Sequence, residues 1–167
     1  MDKVLSLLVL IRTLLSEAGV QFKEIHHDPT STSEESARAR GEDISIGGKA
    51  IVMKVGDTFR LFVLSAARRV DSRKVKNLFG VKAVRFATKE ELLQLTGLAP
   101  GSVPPFGRPI LDLDLVVDRS IALNERIAFN AGSLTDSIVM QTADYLRIVR
   151  TEVVDFSQVP SQAGGTR

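Results

Sequence analysis

Two runs, residues 49–55 and 58–65, are rich in isoleucine, valine, leucine and phenylalanine, and only Gly56-Asp57 separates them. A glycine-containing two-residue break between such runs dictates a β-hairpin. Runs this apolar belong near the centre of a sheet, so the rest of the chain must build around them. Ahead of the hairpin, Val4, Leu7, Leu8, Ile11, Leu14, Leu15 and Ala18 recur at helical spacing and Gly19 follows as a stop. This is an amphipathic first helix rather than a secretion signal. The apolar run 4–11 is short, Asp2 cancels Lys3, Arg12 interrupts, and no small-x-small cleavage pattern follows. No apolar stretch reaches the roughly 18 residues of a membrane span, so a cytoplasmic location is expected.

Further elements follow from caps and stops. Residues 21–26 read as a strand running into the turn-rich His27-Asp28-Pro29-Thr30-Ser31-Thr32. Ser33 is placed to cap a short helix with Glu34 and Glu35 in its first turn and Gly41 at its end. Asp71 caps a helix over 72–79 that Gly80 stops, 83–87 is a strand, and Thr88-Lys89-Glu90-Glu91 is a capping box for a helix ending at Gly97. Residues 98–109 form an unusually long loop with four prolines and two glycines. Then come strands at 110–117, 127–130 and 138–141, a helix capped by Thr142 and running through Leu146, and a last strand at 151–156.

Strands and short helices alternate without a βαβ rhythm. The expected class is therefore α+β, with a mixed, largely antiparallel sheet in one domain over residues 1–156. A Ser/Gln/Gly tail, 157–167, is expected to be disordered. The 167 residues are 44% hydrophobic and 25% charged, an ordinary composition for one globular domain. The formal charge of +2 is too mild for coating a nucleic-acid backbone, so any such contact is a local patch.

The absence of cysteine excludes disulfides, thiolate catalysis and cysteine-ligated zinc. The two histidines, His26 and His27, are strand neighbours facing opposite ways and cannot share a metal, so neither metal nor cofactor is expected. No Gly-x-Ser-x-Gly elbow and no Walker loop occur. Two features stand out. Lys49 opens a strand on the same face as Ile51 and Met53, where its ammonium either points into a pocket or snorkels to solvent. The loop around Gly101-Ser102-Val103-Pro104-Pro105-Phe106-Gly107 is either a rigid connection or a ligand-binding segment whose Gly101 and Ser102 amides take a carbonyl or carboxylate oxygen.

Lys49 on its hydrophobic strand, Arg68-Arg69-Val70-Asp71, and Thr96-Gly97 through Pro104-Pro105-Phe106-Gly107 resemble the YbaK family, also called the prolyl-tRNA synthetase insertion-domain family. The match runs from about His26 to the last strand. Its most specific parts are the lysine and the Gly-x-x-x-Pro loop, here Gly101 to Pro105, and Asn130-Ala131-Gly132-Ser133 also fits. The resemblance implies a YbaK-like fold and hydrolysis in trans of the ester on a mischarged tRNA, with no protein nucleophile and no metal. It implies that Lys49 orients the charged tRNA end while Gly101, Ser102 and Pro105 hold the scissile carbonyl and position water. Thr30, Ser31 and Thr32 lie where the family builds one wall of the amino-acid pocket, although turn and cap chemistry would explain their hydroxyls equally well. Phe106, Asn130, Gly132 and Ser133 are the other expected substrate contacts, and Asn130 departs from members that carry histidine in this region.

The implied partners are a tRNA acceptor end and, secondarily, an aminoacyl-tRNA synthetase. Arg68, Arg69, Arg73 and Lys74 are the principal candidates for the acceptor-end phosphates, with Arg38, Arg40, Lys76 and Arg108 behind them; the competing explanation is a solvated charged face. From another class, the rival reading is a non-catalytic module of the same fold that holds a tRNA end, an amino-acid-like ligand or a synthetase.

Overall fold

The computed structural model describes residues 3–160, with side chains from Leu7 onward. Helix α1 (Lys3–Glu17) ends where Gly19 turns left-handed at φ 70, and it buries Leu7, Leu8, Ile11 and Leu15. Strand β1 (Phe22–His26) leads to α2 (Ser33–Arg40), then β2 (Gly48–Val55), β3 (Thr58–Ser65) and β4 (Arg69–Val70). Next come α3 (Ser72–Phe79), β5 (Val84–Phe86) and α4 (Lys89–Thr96), and beyond the long loop β6 (Asp114–Asp118) and α5 (Arg119–Ala122). The chain closes with β7 (Arg126–Asn130), β8 (Asp136–Gln141), α6 (Thr142–Val149), β9 (Val153–Val154) and β10 (Ser157–Gln158).

The expected hairpin is the centre of the molecule. Strands β2 and β3 pair antiparallel from Gly48↔Ser65 to Val55↔Thr58 inside a five-stranded sheet of order β5-β2-β3-β6-β9. Alternation sends Leu61 and Val63 to one face and Phe62 and Leu64 to the other, and all four are buried. On the first face, Val63 and Val117 meet α1 and the antiparallel β1-β8-β7 sheet. On the second, Phe62 stands edge-on to Phe156 at 5.1 Å in a cluster that includes Val75 of α3. The sheet is mixed, because β6 runs parallel to both β3 and β9.

Several local readings shift. Thr32, not Ser33, caps α2, since its hydroxyl accepts from the Glu35 amide. Residues 110–113 turn rather than extend, so β6 begins at Asp114. Gln141 occupies the cap position of α6, and Thr142 lies inside that helix. The expected tail begins too early: Ser157 and Gln158 pair with Val70 and Arg69, and Ser157 is buried, whereas 161–167 lie outside the described residues.

Asp118 explains that clasp. Its buried carboxylate accepts from the amides of Ser120, Phe156 and Ser157 and from the Ser157 hydroxyl, at 2.7 to 3.1 Å. Burial pushes its pKa up, but these hydrogen bonds outweigh burial and hold it below the usual carboxylate range. The folded state therefore favours the charged form. Its contribution is complete above the ordinary carboxylate pKa of about 3.9 and is lost as pH falls through the lower folded value. Asp118→Ala is expected to cost about 3 kcal/mol at pH 7, because it leaves buried donors unpaired. Urea unfolding at pH 7 and pH 3 checks both points, since the difference between variant and wild type should shrink in acid.

Candidate functional site

At one end of β2 a cavity of about 200 Å³ opens between α2, the Lys49 end of the strand and the loop at Gly101. Its walls bring together Lys49, Gly101, Thr30, Ser31, Thr32 and Asn130 from the expected set and Arg40 from the candidate cations, and add Ser36 and Val103. Residues of the 30–51 stretch, the Gly101 loop and Asn130 thus converge on one space from well-separated parts of the chain.

Lys49 is half-buried, and burial lowers its pKa against an opposing attraction from Glu34. Among the described residues its ammonium has no hydrogen-bond or ion-pair partner. Such a cation on a cavity wall suits an anionic or oxygen-rich ligand better than it suits the core.

The loop is pinned from below. Phe106 is 2% exposed and meets Phe129 and Tyr145 edge-on at 5.4 and 5.5 Å, while the Tyr145 hydroxyl donates to the Pro105 carbonyl at 2.7 Å. Phe106 and Pro105 are therefore anchors under the loop and do not line the cavity. Ser102 is also turned away, because its amide and hydroxyl both donate to the Ala99 carbonyl. Gly101 remains at the surface with φ +88, and among the described residues its amide has no partner. Of the two amides that the sequence offered for an oxyanion, Gly101 alone is available.

Asn130, on the cavity wall, also holds the loop in place. Arg40 donates from Nη2 to Asn130 Oδ1 and from Nε to Ser137 Oγ, both at 3.0 Å, and Asn130 Nδ2 donates to the Gly101 carbonyl. A guanidinium on one side and a carbonyl on the other fix which way the amide faces. The loop carbonyl is thus tied through Asn130 to a half-buried charge whose pKa burial lowers to about 10. His27 Nε2 lies 2.8 Å from the same Ser137 hydroxyl. The clamp joins Arg40 to partners 90 and 97 residues away, and no local pattern marks it. Arg40→Ala is expected to lower kcat about tenfold with KM less affected, since Asn130 loses the guanidinium that fixes its amide and with it the firm hold on Gly101. Arg40→Lys should not restore the rate, because one ammonium cannot reproduce the two-pronged fork. Steady-state kinetics of both variants check this.

The hydroxyl wall divides into two uses. Thr32 caps α2, and Ser31 donates through its amide and hydroxyl to Glu35 Oε1 at 2.8 and 3.0 Å. Those bonds hold the Glu35 carboxylate below its usual range, which makes it a poor base for activating Ser31. Thr30 and Ser36 share one hydrogen bond at 2.8 Å, leaving one hydroxyl proton between them free for a ligand.

The remaining expected contacts lie elsewhere. Gly132 and Ser133 build the turn between β7 and β8, where Ser133 Oγ donates to Asp136 at 2.8 Å. Arg68 and Lys74 both hold the Ser157 carbonyl at the β4-β10 clasp, and Arg69 pairs there with Gln158. Arg73 is largely exposed on α3, and Arg108 is ion-paired to Asp112 and Asp114. None of these lines the cavity.

The family model described as the aminoacyl-tRNA editing domain matches residues 27–148. A protein of Escherichia coli (strain K12) named multifunctional Ser/Thr-tRNA deacylase ProXp-y is 35% identical over 149 residues, 86% of this chain and 88% of that one. A proline–tRNA ligase of Shouchella clausii (strain KSM-K16) is 35% identical over 101 residues, 60% of this chain and 18% of the ligase. A solved structure assigned as a candidate trans-editing enzyme for prolyl-tRNA synthetase superposes with a TM-score of 0.78 at 25% identity, covering 91% of this chain and 97% of that one.

Proposed function

The chain belongs to the aminoacyl-tRNA editing domain family, and we propose that it is a deacylase hydrolysing in trans the ester that joins a small amino acid to the 3′ end of a mischarged tRNA. The observation that supports this best is the convergence of Lys49 and the unpaired Gly101 amide on one cavity. At about 200 Å³ that cavity falls below the roughly 300 to 1,000 Å³ of drug-sized ligand sites and suits a small aminoacyl group with the nucleic acid outside. Thr30 and Ser36 offer the polar wall that a seryl or threonyl side chain would use, the pair of residues named for the Escherichia coli relative.

In this reading water adds to the ester carbonyl, whose oxygen gains charge opposite the Gly101 N–H. The ester C–O bond then breaks, and the ribose oxygen leaves with the proton that the water gives up. Lys49 holds the terminal ribose or its phosphate, and the Arg40-Asn130 tether keeps the amide aimed. Placement and electrostatics of this kind account for several kcal/mol of barrier lowering on an already activated ester. The acceptor-end phosphates would be met by exposed cations such as Arg73, in the cytoplasm, with a synthetase as a further partner. Mixing the protein with a threefold excess of labelled seryl-tRNA tests the chemistry. Free serine should exceed the protein present, and no label should remain on the chain after acid quench. A tRNA that binds and stays charged would instead establish a non-catalytic module.

A further inference from the structure

A second cleft, of about 150 Å³, abuts the first, with Ala50, Ile51, Gly101 and Val103 walling both and Phe86 and Lys89 on the far side. It sits at a gap in the outer edge of β2. Gly47 bridges to Ala128 of β7 just before that strand, and β5 covers it from Met53 onward, with the Ala87 amide donating to the Val52 carbonyl at 2.9 Å. Ala50 is registered with Val63 of β3 on the inner side, and among the described residues no strand pairs with it on the outer side. Alternate residues of a strand direct their backbone groups to the same side, so Ala50 turns its N–H and C=O the way Val52 does, onto the junction of the two clefts.

Resting on the deacylase reading, we propose that this second cleft seats the 3′-terminal nucleoside of the tRNA, with its base against Phe86. The scissile ester joins the amino acid to the terminal ribose. If the aminoacyl group lies on the Thr30 and Ser36 side with its carbonyl at Gly101, the ribose must leave across the wall that Gly101 and Ala50 share. The Ala50 backbone pair meets its hydroxyls there, one group donating and one accepting. Phe86 is 50% exposed at the end of an edge strand and belongs to none of the three buried clusters. A half-exposed aromatic beside an ester site is what a nucleobase stacks on, and Lys89 on the rim supplies a cation for the adjoining phosphate.

Phe86→Ala is expected to lower kcat/KM about tenfold on an aminoacyl-tRNA that the wild type turns over, chiefly through KM. The same variant should hydrolyse the ethyl ester of the same amino acid, which has no base, at about the wild-type rate, and Phe86→Trp should keep most of the activity on tRNA. In an NMR titration, AMP should perturb the amides of Ala50 and Ala87, and ribose 5-phosphate, which has no base to stack on Phe86, should need at least about tenfold higher concentration for the same shifts. Equal losses on both esters, an undiminished rate on tRNA, or AMP shifts that spare those amides would overturn the cleft assignment. A wild type that releases no amino acid from any tRNA would overturn the deacylase reading instead, and the AMP titration would still decide what the cleft takes.

Discussion

Replacing Lys49 by alanine is expected to lower kcat/KM for deacylation by at least about a hundredfold while the melting temperature moves by no more than a few degrees. The two halves of that expectation come from one observation. The ammonium is half-buried on the cavity wall, and among the described residues nothing binds it, so the fold loses no hydrogen bond when it is removed. A charge held without a partner costs desolvation, which is also why its pKa is lowered. Its use lies in the ligand, and removing a single preorganised electrostatic contact from a reacting centre typically costs about 100- to 1,000-fold, or 3 to 4 kcal/mol. The sign of the pH dependence follows. The protonated lysine is the working form, so activity should fall as pH rises through a value below the ordinary lysine pKa of about 10.4. Rate profiles of the wild type and of Lys49→Arg, whose alkaline limb should disappear, measure this. A large drop in melting temperature for Lys49→Ala would show the lysine to be structural.

Gly101→Ala should cost about tenfold or more in kcat, roughly 1.4 kcal/mol, with KM less affected. Two causes could act, an intruding methyl or a forbidden backbone angle, and the structure separates them. A Cβ built at Gly101 would meet Leu134 Cδ2 at 3.5 Å, an ordinary contact, but φ is +88, which L side chains rarely adopt. The methyl fits and the conformation does not. Relaxing φ would swing the amide away from the carbonyl it should face and pull on the Asn130 bond. Kinetics indistinguishable from wild type would show that the loop is only a connection.

What was legible in the sequence was what neighbouring residues decide. The β2-β3 hairpin follows from two apolar runs and a two-residue break, and the caps at Asp71 and Thr88 and the stops at Gly41, Gly80 and Gly97 follow from hydroxyls, carboxylates and left-handed glycines acting within one turn. Lys49 and Gly101 were visible through resemblance, and the fold places them on one cavity. Arg40 looked like a surface cation, because its partners Asn130 and Ser137 are about 90 residues away and only the packing of α2 on β7 and β8 brings them within reach. Ser157 looked like the start of a tail for the same reason, since a buried Asp118 holds it. Ser102, Pro105 and Phe106 share the loop motif with Gly101 but face the support beneath it, a distinction that depends on how Phe106 docks between Phe129 and Tyr145.

The most direct test of the central claim is turnover across a panel of charged tRNAs, seryl, threonyl, alanyl, cysteinyl and phenylalanyl, with the protein at about one tenth of the substrate. Repeated release of at least one of the four small amino acids is expected, with phenylalanyl-tRNA turned over much more slowly because Thr30, Ser36 and Arg40 give the cavity a polar wall that its ring cannot use. Release from none of them, or equal release from phenylalanyl-tRNA, would contradict the assignment of the cavity between Thr30, Lys49 and Gly101 as the place where the ester is hydrolysed.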